Sequence, residues 1–177
     1  MALKADRKIT DGTDISFFCN LATAERGTVV ILSAGGSGAA MDDSAALVTY
    51  PTKAFGSGEY PIGILMNDVV SGDLTKTHIN YQKDEVQTGG KVTICRRGTV
   101  LTNMFAGSPT AGQAAYIGST ATDGKLTGIT LGNGSAPLMF TNAFSPTGGG
   151  TSVVTRVGTW LSSKDSDGYA KLDVNLI

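Results

Sequence analysis

The chain predicts an all-β fold, a single-domain β-sandwich or β-barrel with long glycine-rich loops. Three observations carry this. No run of apolar residues keeps the i, i+3, i+4, i+7 spacing of an amphipathic helix beyond two turns. Short runs rich in Val, Ile, Thr and aromatic residues recur between turn signals. Glycine fills 24 of 177 positions, about twice the usual share of roughly 7%, and it disfavours helices.

The elements follow in order. The first 14 residues are polar, with Leu3 and Ile9 isolated. They read as an N-terminal arm, disordered alone or ordered against a partner. Residues 15–177 form the β domain. Strands are expected at Ile15–Cys19, Thr28–Ser33, Ala46–Tyr50, Ile62–Met66, Lys91–Cys95, Thr99–Thr102, Ala114–Ile117, Val153–Leu161 and Tyr169–Leu176. Asp11-Gly12, Asp123-Gly124 and Asp167-Gly168 are hairpin-type dipeptides, since Gly tolerates positive φ and Asp bonds to nearby backbone. Arg96-Arg97-Gly98 is expected to be a tight turn or a bulge between two strands. In the last strand Tyr169, Lys171, Asp173 and Asn175 alternate with Ala170, Leu172, Val174 and Leu176, giving one polar and one apolar face. Residues 119–151 are rich in glycine and read as an excursion outside the barrel. Pro61-Ile-Gly-Ile-Leu and Arg156-Val-Gly-Thr-Trp echo one another. The echo marks either a repeated barrel corner or a coincidence that a glycine-rich β protein readily produces.

Composition excludes several classes. Lys and Arg number 14 against 15 Asp and Glu, a net charge of −1. That gives no support to phosphate-backbone binding or to a polybasic membrane contact. Neither basic patches nor aromatic platforms are dense enough for nucleic acid. No segment approaches the ~18 apolar residues of a membrane span, and the first residues hold no apolar stretch of a secretory leader. Synthesis in a host cytoplasm is expected. Cys19 and Cys95 allow one bridge, but two reduced thiols are the simpler state.

Motifs for chemistry are sparse. His78 stands alone and cannot supply a two-histidine metal site. As a base it would need Ser71 or Asp73, which local order does not position; a hydrogen-bonded or exposed histidine is the plainer assignment. Asp165-Ser-Asp-Gly168 lacks the flanking ligands of a calcium loop and reads as a turn. Asp42-Asp43 and Asp84-Glu85 read as solvated loop charges. Gly35-Gly-Ser-Gly38 lacks the Gly-Lys-Ser/Thr ending of a phosphate loop. Catalytic residues, metals and cofactors are therefore expected to be none, and the protein is expected not to be an enzyme. Aromatic residues anchor cores and interfaces. Trp160 is assigned to the core, while Phe140 and Phe144 suit an interface or a core equally.

One ordered series of motifs remains. Gly27-Thr-Val-Val-Ile-Leu-Ser-Ala-Gly, Val48-Thr-Tyr-Pro-Thr and Pro61-Ile-Gly-Ile-Leu-Met-Asn-Asp-Val come first. Gly89-Gly-Lys-Val-Thr-Ile-Cys-Arg-Arg-Gly-Thr-Val, Ala111-Gly-Gln-Ala-Ala-Tyr-Ile-Gly, Asp123-Gly-Lys-Leu and Arg156-Val-Gly-Thr-Trp-Leu follow. Over residues 27–177 this series resembles the small capsid decoration, or cement, proteins of tailed bacteriophages. The resemblance implies a structural virion protein on the outer capsid surface. It implies a homotrimer at three-fold or quasi-three-fold positions that clamps neighbouring subunits of the major capsid protein. Leu3, Lys4, Arg7 and Ile9 of the arm, Arg96 and Arg97, and Phe140 and Phe144 are the expected partner contacts. A tail or fibre β module with glycan binding is the competing expectation.

Overall fold

The computed structural model describes residues 9–33, 47–52, 59–72, 74, 84–117, 124–128 and 156–176. Among these there is no α-helix. Twelve strands run in order: β1 Ile9–Cys19, β2 Val29–Leu32, β3 Leu47–Thr49, β4 Pro61–Leu65, β5 Asp68–Val70, β6 Glu85–Gln87, β7 Lys91–Thr102, β8 Phe105–Ala106, β9 Ala114–Ile117, β10 Leu126–Gly128, β11 Arg156–Trp160 and β12 Ala170–Asn175. The all-β expectation holds. Strands β5, β6, β8 and β10 answer to none of the predicted runs. Each has two or three residues, too few for a period of two to show.

Two expectations are corrected. Residues 9–14 are not arm: β1 starts at Ile9 and runs antiparallel to β7. Asp11-Gly12 is accordingly not a hairpin tip but lies at a register shift within β1. The excursion is also shorter than expected at its start. Leu126 is fully buried, and β10 pairs with β9 and β8. The remaining described-strand boundaries fall within a few residues of the predicted ones.

Five strands close on themselves. β1 pairs with β3, β3 with β2, β2 with β4, β4 with β7, and β7 again with β1. Each strand sends apolar side chains to a shared interior: Cys19, Val48, Val30, Leu65, Val92 and Ile94. Burying a Val, Leu or Ile contributes about 1.5–3 kcal/mol apiece.

β7 is longer than this barrel needs. Its first half pairs with β4 at Ile94 and Cys95, and its second half pairs with β12 from Arg97 to Thr102. From there β12, β11, β9, β10 and β8 follow side by side. Two residues separate the end of β7 from β8, so the two act as one bent strand and a second five-membered ring closes through the chain itself rather than through a further ladder.

The second ring repeats the first at each matched ladder except the closing one, where the register shifts of β1–β7 are absent from β7–β12. In the first, Gly27 N donates to Leu65 O (2.7 Å) and Leu65 N to Thr28 O (2.9 Å). In the second, Gly112 N donates to Trp160 O (2.7 Å) and Trp160 N to Gln113 O (2.8 Å). Val29, Val30 and Ile31 face Ile64, Gly63 and Pro61, skipping Ile62. Ala114, Ala115 and Tyr116 face Thr159, Gly158 and Arg156, skipping Val157. Ile64 faces Cys95 as Thr159 faces Asp173. The parallel pair Cys19–Val48 recurs as Phe105–Leu126. The echo in the sequence is thus a structural repeat. Both glycines are required by crowding: a Cβ on Gly63 would lie 2.5 Å from Cys95 O, and one on Gly158 would lie 2.0 Å from Asp173 O.

One residue joins the repeats. Thr13 faces Cys95 and Gly12 faces Arg97, so Arg96 is the extra residue of a bulge. An inserted residue reverses the side to which later side chains point. Beyond it, Val100 continues the Cys95 side of the strand rather than the Ile94 side. Cys95 and Val100 share one core cluster and Ile94 belongs to the other. The outer face of the first barrel (Val29, Ile31, Ile64, Met66, Cys95) therefore merges with the interior of the second, where Trp160, Leu126 and Leu172 are buried.

Candidate functional site

The bulge between the barrels is the first candidate. Arg96-Arg97-Gly98 does not turn the chain. It is the bulged middle of one twelve-residue strand, bonded along both edges. Gly98 takes φ 129°, a conformation open to glycine. Arg96 O accepts from Leu176 N (3.0 Å). Both arginines are exposed. Ile9 faces Thr99 and Thr10 faces Gly98, so the chain enters β1 beside this bulge. At this seam Gly12 faces Arg97, and Ile9 enters the same ladder opposite Thr99, two residues along β7 from Arg97. Leu3, Lys4, Arg7, Phe140 and Phe144 lie outside the described residues, as do His78, Asp73, Asp42, Asp43 and Gly35-Gly-Ser-Gly38.

Next to the seam is a shallow concavity of about 190 Å³, lined by Arg156, Gly158, Thr159, Asp173 and Asn175. Asn175 faces Arg97 across the ladder. Arg156 Nε donates to Gly158 O (3.1 Å) and Nη2 to Thr159 Oγ1 (2.5 Å), which orients the guanidinium along the strand. Burial pushes the Tyr116 phenol above its ordinary range, and the nearby Arg156 charge opposes that rise. Ligand pockets run to about 300–1,000 Å³, so this hollow suits a partner's side chain better than an organic substrate. Among the described residues no group of three His, Cys, Asp or Glu could hold a metal ion.

A third polar constellation escaped the sequence reading. Arg26 is buried and forms ion pairs with Asp68 (Nε–Oδ2 3.2 Å) and Asp84 (Nη1–Oδ2 2.6 Å). The contact to Asp68 lacks hydrogen-bond alignment, but Asp68 Oδ1 accepts from Arg26 N at 2.8 Å. Asn67 adds a bond from Thr93 N (2.6 Å) and one to Asp84 O (3.3 Å). Asp84 is therefore not merely a solvated loop charge. The cluster fastens the parallel pair β5–β6 to the first barrel, and no nucleophile or base is set up in it. The only signal in the sequence was Asn67-Asp68 directly after an apolar strand.

The remaining expectations fall into place locally. Asp165 closes the β11–β12 hairpin: its Oδ1 accepts from Asp167 N (3.1 Å) and Tyr169 N (2.7 Å). Gly168 there has φ 88°. Trp160 is fully buried and meets Phe105 edge to face at 5.3 Å. Cys19 and Cys95 are free and buried. Cys19 N bonds Gly90 O, five residues before Cys95 on an extended strand. At ~3.3 Å per residue that is roughly 16 Å, against the ~7 Å limit between Cα atoms of a disulfide.

No protein-family model matches the chain, and no curated protein matches it.

Proposed function

We propose that this is a structural virion protein that binds the outer surface of an assembled icosahedral capsid and clamps neighbouring major capsid subunits, as a homotrimer at three-fold or quasi-three-fold positions. The observation that carries this reading is the seam. Two exposed arginines sit on a strand bonded along both edges, beside the point where the N-terminal residues enter the fold. A contact held on a rigid element loses little conformational freedom on binding. Leu3, Lys4 and Arg7 precede Ile9 by a few residues, so the arm and the arginine pair act on one partner surface. Eight residues reach ~26 Å when extended, at ~3.3 Å each. Linked subunits raise one another's effective concentration, so modest affinity per copy suffices. A protein that binds only the intact shell stabilises it by mass action. The reading requires no cofactor and no turnover.

The test is cosedimentation of the purified protein with expanded empty heads. The expected result is saturable binding that weakens on deleting residues 1–8 and on the R96E/R97E exchange, with the β fold intact in both. Failure to bind heads, or labelling of tails alone on imaged particles, overturns the proposal.

A further inference from the structure

We infer that the stretch Ile9–Asp14 of β1 exchanges between copies of this chain, so that the first barrel of one copy is closed by β1 of a second copy. The inference concerns how copies join one another and does not rest on the shell contact proposed above.

The repeat shows which closure is loose. Each ring is closed by an antiparallel ladder on β7. In the second ring β7 meets β12 over six consecutive pairs, from Arg97–Asn175 to Thr102–Ala170, without a break. In the first ring the matching ladder of β1 on β7 breaks three times: between Thr10 and Gly12, between Gly12 and Thr13, and between Asp14 and Phe17. Thr13–Cys95 and Asp14–Ile94 in that ladder occupy the places of Thr99–Asp173 and Val100–Leu172 in the unbroken one. Burial divides β1 at its last break. Beyond it Phe18 and Cys19 are buried, and Phe17 packs on the first core. Before it Thr13 is exposed, and four of the six residues Ile9–Asp14 carry polar side chains. Segments that bury little apolar surface open at the low end of the free-energy range.

The breaks also identify what can take the place of this stretch. β1 has one extra residue at Asp11 and another between Asp14 and Phe17, while β7 has one at Arg96. The insertions at Asp11 and Arg96 stand on opposite strands with the single pair Gly12–Arg97 between them. They cancel: the register shifts by one for that pair and is then restored. A strand without the first insertion would run one residue out of register along β7 and present its other face. The β1 of a second copy carries the same insertions and makes the same bonds. Exchange of an identical element is a low-cost route to an assembly for that reason. Between Asp14 and Phe17 β1 takes three steps against two on β7, which supplies slack for the crossing. In the exchanged arrangement β7 keeps both edges bonded, so Arg96 and Arg97 stay on a rigid strand.

Disulfide trapping in mixed chains tests this. A Cβ on Gly12 would lie 3.5 Å from Arg97 Cβ, within the ~3.5–4.5 Å span of a disulfide. Full-length chains carrying G12C alone are incubated with tagged chains carrying R97C alone, over a concentration series, and then oxidised. The expected product on a non-reducing gel is a covalent heterodimer whose yield rises with concentration. A control mixture joins R97C chains to N175C chains, whose pair lies on the unbroken ladder. The heterodimer is expected to exceed that control about tenfold or more, because the β1 stretch opens more readily. The double variants G12C/R97C and R97C/N175C verify that each bond forms within one chain, and urea midpoints verify folding. I9C and T99C chains, from the pair Ile9–Thr99, replace the first mixture if the G12C chain does not fold or its bond does not form. No heterodimer, or equal yields from the two mixtures, overturns the inference; cosedimentation with heads is read independently of either result.

Discussion

The two barrels share a backbone frame and differ in what they put on it. Inside, Leu65 of the first is replaced by Trp160 of the second, and Cys19 by Phe105. The smaller Val30 has Ala115 as its counterpart. Large and small residues trade places, so the volume of each interior is met by a different set. Outside, the contrast is one of polarity. Ile64 and Cys95 are fully buried between the barrels; Thr159 and Asp173 occupy the same frame and are partly exposed. The comparison teaches that the hydrogen-bond frame tolerates either surface, and that position in the tandem decides which is allowed. A terminal repeat can carry polar residues on its outer face where the inner repeat must carry apolar ones.

The glycine shared by both frames tests the comparison most severely. Gly158→Val and Gly63→Val each push a Cβ into a neighbouring carbonyl, and each is expected to cost more than about 3 kcal/mol or to prevent folding. Gly72→Val, with nothing within 4 Å of its Cβ position, is expected to stay within about 0.5 kcal/mol. Urea midpoints of the three variants measure this. If both barrel glycines tolerate Val, the two frames are not held by backbone approach.

Exchanging outer residues between the barrels comes next. Cys95→Asp places a carboxylate between them and is expected to cost roughly 3–5 kcal/mol at pH 7, as an unpaired buried charge does. The reverse exchange, Asp173→Cys, is expected to change stability by about 0.5 kcal/mol or less, as partly exposed positions do. Equal effects from the two exchanges, read by thermal or urea unfolding, would dissolve the distinction between covered and uncovered faces.

The first barrel alone carries the Arg26 cluster; Ala111 stands at the matching place before Gly112. Arg26→Ala is expected to cost about 2–3 kcal/mol, less than for a fully enclosed pair because Asp84 remains half exposed. Amide exchange should then rise first at β5 and β6, which the cluster fastens. Uniform loosening of both barrels instead would show that the cluster supports the whole fold.

The smallest expected effect is alkaline. Burial raises the Cys19 thiol, and a backbone bond from Leu21 partly offsets this. A folded-state pKa above the unfolded one means that unfolding releases the proton more readily. Stability is complete below the unfolded thiol value and declines as pH rises through roughly 8.5. Cys19→Ser is expected to flatten that limb of a stability–pH curve, while Cys95→Ser serves as the comparison in the second core cluster.

Much of this molecule was legible in its residues. The absence of helical spacing, the β-branched runs and the polar–apolar alternation of Tyr169–Leu176 determine an all-β chain, because side-chain period follows backbone geometry. The Pro61 and Arg156 segments already contained the repeat, since a glycine forced by a neighbour's carbonyl cannot be replaced. Other features depended on residues distant in the chain. Nothing local distinguishes a bulge at Arg96 from a turn; the outcome depends on β1 and β12 occupying both edges of β7. Nothing local makes Ile9–Asp14 a strand, because its partner is Thr99 to Ile94 on that same β7. Asp84 becomes a buried arginine's partner only when β6 is laid against β5. Pattern along a chain reports which residues seek burial, whereas which edge, face or charge meets them is settled by closure of the rings.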